Sequence, residues 1–261
     1  MPAGRTSGRA DTRREGSAIG RVEVVQDAGA LAEAAARAAI ADIEAAVDAY
    51  GSCTWVLTGG TSPVAAYRRL AGHDLRAGVE WERVRVAMGD ERCVPVDHPE
   101  SNWGQASAAL LDHVPVPERN LLRLRGELPA AQAAAEYEAR LRALPPNPAG
   151  VPRLELVWLG VGPDGHCLSL FPGHAELEVV DRLVVAVHGA PKPPPDRVSL
   201  TLAALAGAER LLVLAAGQEK AAPVAQALTR LDSDLPIARA VATVEQAGGA
   251  VTWLLDRAAA G

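Results

Sequence analysis

The chain has 261 residues, 49% of them hydrophobic and 22% charged, a balance that suits a folded protein with a large buried core. Its net charge is −6, and the first twenty residues hold four arginines against two acids, so the remainder stands at about −8, which argues against nonspecific binding to nucleic acid or to a membrane surface. The three cysteines, Cys53, Cys93 and Cys167, form neither a disulfide framework nor a zinc spacing, and no run approaches the roughly 18 apolar residues of a membrane helix.

Residues 1–20, rich in Gly, Arg and Ser, lack the apolar segment of a secretory signal. They are expected to form a disordered tail ahead of a single α/β domain over 21–261, in a cytoplasmic protein that acts as a monomer. Alanines and apolar residues at helical spacing predict a long helix from about Asp27 to Tyr50. The strand CTWVL follows, then TGGTSP and a helix through VAAYRRL. A strand VRVAM runs into GDER, and SNWGQASAALLDHV reads as a helix capped by Ser101 or Asn102. PAAQAAAEYEARLRAL is a helix stopped by PPNPAG, and LELVWLGVG is a nearly continuous apolar run, as expected of a strand covered on both faces. Beyond GPDGH come LVVAVHG, the proline-rich APKPPPDR, RLLVLAAG, a helix from about Gln218 to Leu228, and a last strand VTWLL. Strands alternating with helices predict a doubly wound, mostly parallel α/β sheet with helices on both faces, and in such sheets ligands gather at the carboxyl ends of the strands.

Several chemically suggestive residues fall at those ends. In TGGTSP, Gly59 and Gly60 let the backbone approach a ligand, Ser62 is a candidate cap and Pro63 suits the first helical position. The turn is favourable for phosphate, although it is neither a Walker loop nor GxGxxG. Arg92, after VRVAM, is placed to reach a phosphate from that turn, with Asp90 or Glu91 orienting it or holding a sugar hydroxyl. The prolines of APKPPPDR would hold Lys192 and Arg197 over an anion at low entropic cost, or simply form a stiff connector. In GPDGH, Gly162 and Gly165 allow a sharp turn, His166 stands at the sheet edge as a candidate general base, and Asp164 is its candidate partner. His73, His98, His113, His174 and His188 lack such a setting, no His/Cys/acid set has metal spacing, and no serine sits in a GxSxG elbow.

Together TGGTSP, GDERCVPVDHPESN, GVGPDGHCLSLFPGH and APKPPPDRVSLTL, in this order, resemble the 6-phosphogluconolactonases over nearly the whole chain after residue 20. The resemblance implies a Rossmann-like fold shared with amino-sugar-phosphate isomerases, and cofactor-free hydrolysis of a sugar-phosphate lactone, 6-phosphogluconolactone, in the oxidative pentose phosphate pathway. It implies His166 as base, Asp164 as its partner, and Gly60, Thr61, Arg92, Lys192 and Arg197 on the phosphate side. After the histidine the family more usually reads Thr-Ala-Ser, where this chain has Cys167-Leu168-Ser169, a change in the pocket wall that leaves no hydroxyl at 167. A glucosamine-6-phosphate deaminase is the nearest alternative; that family usually carries DEY at Asp90-Glu91-Arg92 and Asn-Glu-Pro in place of SLFPG. A non-enzymatic sugar-phosphate sensor would be expected to carry a DNA-binding domain, for which twenty residues do not suffice.

Overall fold

The structure, a computed structural model, describes residues 20–229 and 233–261, so the expected disordered tail lies outside the described residues apart from Gly20. The strands are β1 (Arg21–Val25), β2 (Cys53–Leu57), β3 (Val84–Met88), β4 (Asp90–Arg92), β5 (Leu121–Leu122), β6 (Leu156–Gly160), β7 (Val184–Val187), β8 (Arg197–Leu200), β9 (Arg210–Ala215) and β10 (Ala250–Asp256). The helices are α1 (Ala28–Tyr50), α2 (Thr61–Leu70), α3 (His73–Arg76), α4 (Asn102–Ala109), α5 (Ala130–Arg142), α6 (Leu202–Leu205), α7 (Ala221–Thr229), α8 (Pro236–Gln246) and α9 (Arg257–Ala260). A seven-stranded sheet has the order β1-β10-β9-β6-β2-β3-β5, parallel throughout.

Local chemistry accounts for the main elements. The Asp27 side chain accepts from the Ala30 N–H to start α1, and Gly51, left-handed at φ 75°, ends it. Leu31, Ala35, Ala39, Ile43 and Ala46 form its buried stripe. Every residue of β2 is buried, Thr54 included, as in a strand covered on both faces. Trp55, Trp158 and Trp253 lie wholly inside the core. Among the described residues no helix is long and apolar enough to cross a membrane.

After β2 the chain winds through β3 to β5 on one side, and after β6 through β9 to β10 on the other. Right-handed crossovers then set α1, α2 and α4 on one face and α5, α6 and α8 on the opposite one, in keeping with the packing of α1 on α2, α2 on α4 and α6 on α8. The winding reverses between β2 and β6, and their pairing stops at Val56↔Val157 although β6 continues to Gly160. The crevice opens there.

Three features depart from the sequence reading. GDER holds a strand that the sequence reading did not include: Asp90–Arg92 forms the edge of a small antiparallel sheet, β4-β8-β7, whose register sets Arg92 opposite Arg197. Helix α8 went unrecognised, although Pro236 leads it and Ile237, Val241 and Val244 recur at helical spacing. Helix α2 begins at Thr61 with Gly60 as its cap, so Ser62 caps nothing and Pro63 takes the third helical position, where a missing N–H costs no helical bond.

Candidate active site

The segments leaving β2, β3, β6 and β9 surround a cavity of about 320 Å³ at the point where the winding reverses. Of the residues singled out in the sequence, Gly59, Gly60, Thr61, Asp90, Arg92, His166, Lys192 and Arg197 line it, and Asp164 supports His166 from behind.

The histidine turn is tightly constrained. The Gly162 N–H donates to the His166 carbonyl at 2.8 Å, and the Gly165 N–H to the Gly162 carbonyl at 2.9 Å. Only Gly165 needs left-handed backbone, at φ 80°. Gly162 is required for a different reason: a Cβ there would lie 2.0 Å from His166 Nδ1 and 2.5 Å from Asp164 Oδ1. His166 Nδ1 meets Asp164 Oδ1 at 2.5 Å, which assigns the ring proton to Nδ1 and leaves Nε2 as the basic nitrogen. Burial lowers the His166 pKa below its usual 6.5; the hydrogen bond and charge of Asp164 oppose this without reversing it. Asp164 is itself pushed up by burial, but its bond to His166 holds it below the usual carboxylate value. The only phenylalanine of the chain, Phe171, packs its buried ring 4.8 Å from the imidazole and 5.5 Å from the Arg197 guanidinium, joining the two ends of the site.

We expect Gly162→Ala to lower kcat at least about tenfold by displacing the His166–Asp164 pair, since loss of a well-placed proton acceptor costs 10²–10⁴. An unaltered kcat in a variant that melts like the parent would show that the added methyl group is accommodated elsewhere.

The cationic side converges from three segments. Arg92 and Arg197 are cross-strand neighbours in β4 and β8, where like charges repel unless an anion lies between them. Arg197 is buried; its Nε donates to the Pro194 carbonyl and its Nη2 to the Lys192 carbonyl, so it pins the proline loop that carries Lys192. Burial lowers the Arg197 pKa, with Asp90 opposing and Arg92 assisting. Arg92 Nη1 donates to the Glu100 carbonyl at 2.6 Å, while its buried Nε has no partner among the described residues.

Between Asp90 and Glu91, the choice falls to Asp90. Glu91 is buried away from the cavity, where it accepts from Ser101 Oγ and the Asn102 and Trp103 N–H groups and fastens the start of α4. Asp90 lines the cavity, held by Ser169 Oγ at 2.7 Å and Asn102 Nδ2 at 3.2 Å. Sequence reasoning missed Asn102 and Lys220 as lining residues. Asn102 was read only as a cap. Lys220 follows β9 and so obeys the same carboxyl-end rule; burial lowers its pKa. The unusual Cys167-Leu168 pair forms wall. Burial pushes the Cys167 thiol pKa up, and Leu168, left-handed at φ 55°, packs over Gly89.

Comparisons with known proteins place the chain in a family. The family model described as glucosamine-6-phosphate isomerases/6-phosphogluconolactonase matches residues 26–253. A 6-phosphogluconolactonase of Streptomyces coelicolor is 40% identical over 91% of this chain and 92% of its own length, and one of Mycobacterium bovis is 38% identical over 92% and 96%. The solved structure of 6-phosphogluconolactonase from Trypanosoma brucei superposes with a TM-score of 0.82 at 30% identity, covering 94% of this chain and 98% of that one. The chain therefore belongs to the glucosamine-6-phosphate isomerase/6-phosphogluconolactonase family.

Proposed function

We propose that the chain hydrolyses 6-phospho-D-glucono-1,5-lactone to 6-phosphogluconate in the oxidative pentose phosphate pathway, with His166 as general base. The reading rests on one observation: an oriented imidazole and a set of cationic side chains share a single cavity at the reversal of the sheet.

The chemistry needs no covalent intermediate. His166 Nε2 takes a proton from water as the water oxygen attacks the lactone carbonyl. The carbonyl electrons move to oxygen, giving a tetrahedral oxyanion. As that collapses, the ring C–O bond breaks and imidazolium returns the proton to the departing ring oxygen. Asp164 stabilises the imidazolium in between. The Gly162 and Gly165 N–H groups are engaged inside their own turn, so the oxyanion is left to the turn after β2 or to a cation. Arg92, Arg197 and Lys192 anchor the phosphate, and Asp90, fixed by Ser169 and Asn102, accepts from a sugar hydroxyl. Anchoring remote from the reacting carbon supplies orientation. The three free thiols suit a cytoplasmic location.

Fresh 6-phosphogluconolactone and glucosamine-6-phosphate, offered separately, test the reading. Turnover of the lactone above its spontaneous rate is expected, with none of the amino sugar; the reverse result would assign the site to the isomerase branch. Run from about pH 5 to 8, kcat should stay flat through neutrality and fall only below 6.5, because burial keeps His166 neutral to lower pH than usual.

A further inference from the structure

We infer that Tyr67, with Tyr137 as its counterpart one strand further on, is a positioning residue: its buried hydroxyl replaces a missing strand partner and fixes the end of β2 from which the glycine turn departs. The inference rests on the reading of that turn as part of a sugar-phosphate site.

In a strand, the N–H and C=O of one residue face the same neighbour, and successive residues alternate. The Leu57 carbonyl faces β3, since it accepts the Gly89 N–H at 2.8 Å. Thr58 therefore turns its N–H and C=O toward β6. There the ladder has already stopped, at Val56↔Val157, because the two strands part to open the crevice. A single hydroxyl fills the gap. Tyr67 Oη accepts from the Thr58 N–H at 3.0 Å and donates to the Thr58 carbonyl at 2.9 Å. A phenol can do both at once, having one proton and free lone pairs.

The same device recurs at β3. Its pairing with β5 ends at Ala87↔Leu122. Tyr137 Oη accepts from the Met88 N–H at 2.7 Å and donates to the Met88 carbonyl at 2.8 Å. Tyr67 comes from α2 and Tyr137 from α5, so two helices on opposite faces close two strand ends in the same way. Met88 lies just ahead of Asp90 and Arg92, as Thr58 lies just ahead of Gly59 and Gly60. Burial raises both phenol pKa values, so both hydroxyls keep their proton.

The consequence is local. Two glycines follow Thr58, and glycine backbone has little restraint of its own. A turn that must present N–H groups to an anion needs a fixed origin, and ordering it at binding would weaken affinity. The tyrosine ring does not depend on the hydroxyl for its place: it stacks on Trp158 at 5.4 Å and 12° and meets Trp55 edge-on at 5.9 Å. Tyr67→Phe thus removes the clamp while keeping the packing.

The test compares the parent, Tyr67→Phe, Tyr137→Phe and, as a destabilised comparator outside the cavity lining, Val244→Ala at the buried face of α8. For each, KM and kcat toward the lactone, the inhibition constant of inorganic phosphate, and the melting temperature with and without phosphate are measured. Tyr67→Phe is expected to raise KM and the phosphate inhibition constant about tenfold, with kcat within about threefold and its acid limb unmoved, the loss of one pre-ordered binding segment. Val244→Ala should lower the melting temperature without moving either constant. If both constants in Tyr67→Phe stay within about twofold of the parent, the hydroxyl serves folding alone and the inference fails. Should Tyr67→Phe yield no folded protein, Tyr137→Phe decides by the same criterion. A parent with no lactone turnover ends the functional reading instead; the phosphate-induced rise in melting temperature then decides, its loss in Tyr67→Phe supporting the clamp and its retention overturning it.

Discussion

His166→Ala is expected to lower kcat by about 10²–10⁴-fold, the usual worth of a positioned proton acceptor, while the affinity for 6-phosphogluconate changes little. The argument is geometric. Asp164 holds Nδ1, so the ring presents Nε2 to the water, and burial keeps that nitrogen unprotonated at neutral pH. The cations that would hold the phosphate belong to other segments and stay in place. Single-turnover hydrolysis measured against the spontaneous rate separates the two effects. A variant that opens the lactone as fast as the parent would remove the imidazole from the mechanism, and the cavity would need another base.

Arg197→Ala should act on the opposite quantity, raising KM by about 10²-fold and abolishing the rise in melting temperature that 6-phosphogluconate gives the parent. A charge-assisted contact to a phosphate contributes about 1.5–3 kcal/mol, and this residue does more than contact. It also ties the carbonyls of Lys192 and Pro194, so its removal releases the loop that brings a second cation to the cavity. Repulsion from Arg92 across the strand pair is relieved at the same time, which limits the stability lost by the empty protein. Equal affinity of the parent for phosphorylated and unphosphorylated gluconate would contradict the anion pocket altogether.

Much of this was legible in the sequence, for identifiable reasons. The main sheet announces itself through nearly continuous apolar runs such as LELVWLGVG and short β-rich ones such as CTWVL, because parallel strands are buried on both faces. Since ligands collect at the carboxyl ends of such strands, GPDGH, TGGTSP and GDER could be picked out before any coordinates. The small antiparallel sheet was not legible: β4 has three residues and β8 follows a run of prolines, so neither shows a period. The roles of neighbouring acids were equally hidden. Asp90 and Glu91 point to opposite sides of one short strand, and that alternation sends one to the cavity and the other beneath α4. Tyr67 gave no signal at all, since a tyrosine on an amphipathic helix reads as core until the strand end it serves is seen.

The pairing of β1 with β10 has a consequence for how the molecule comes into being. Arg21–Val25 leaves the ribosome long before its partner Ala250–Asp256 has been made. Until β10 is made the margin of that side of the sheet is β9, and once both have joined β1 is itself the edge, with Val22 and Val24 still exposed. The pairing of β1 with β10 is a long-range contact of the kind that slows folding and leaves unpaired strands open to association with other nascent chains meanwhile.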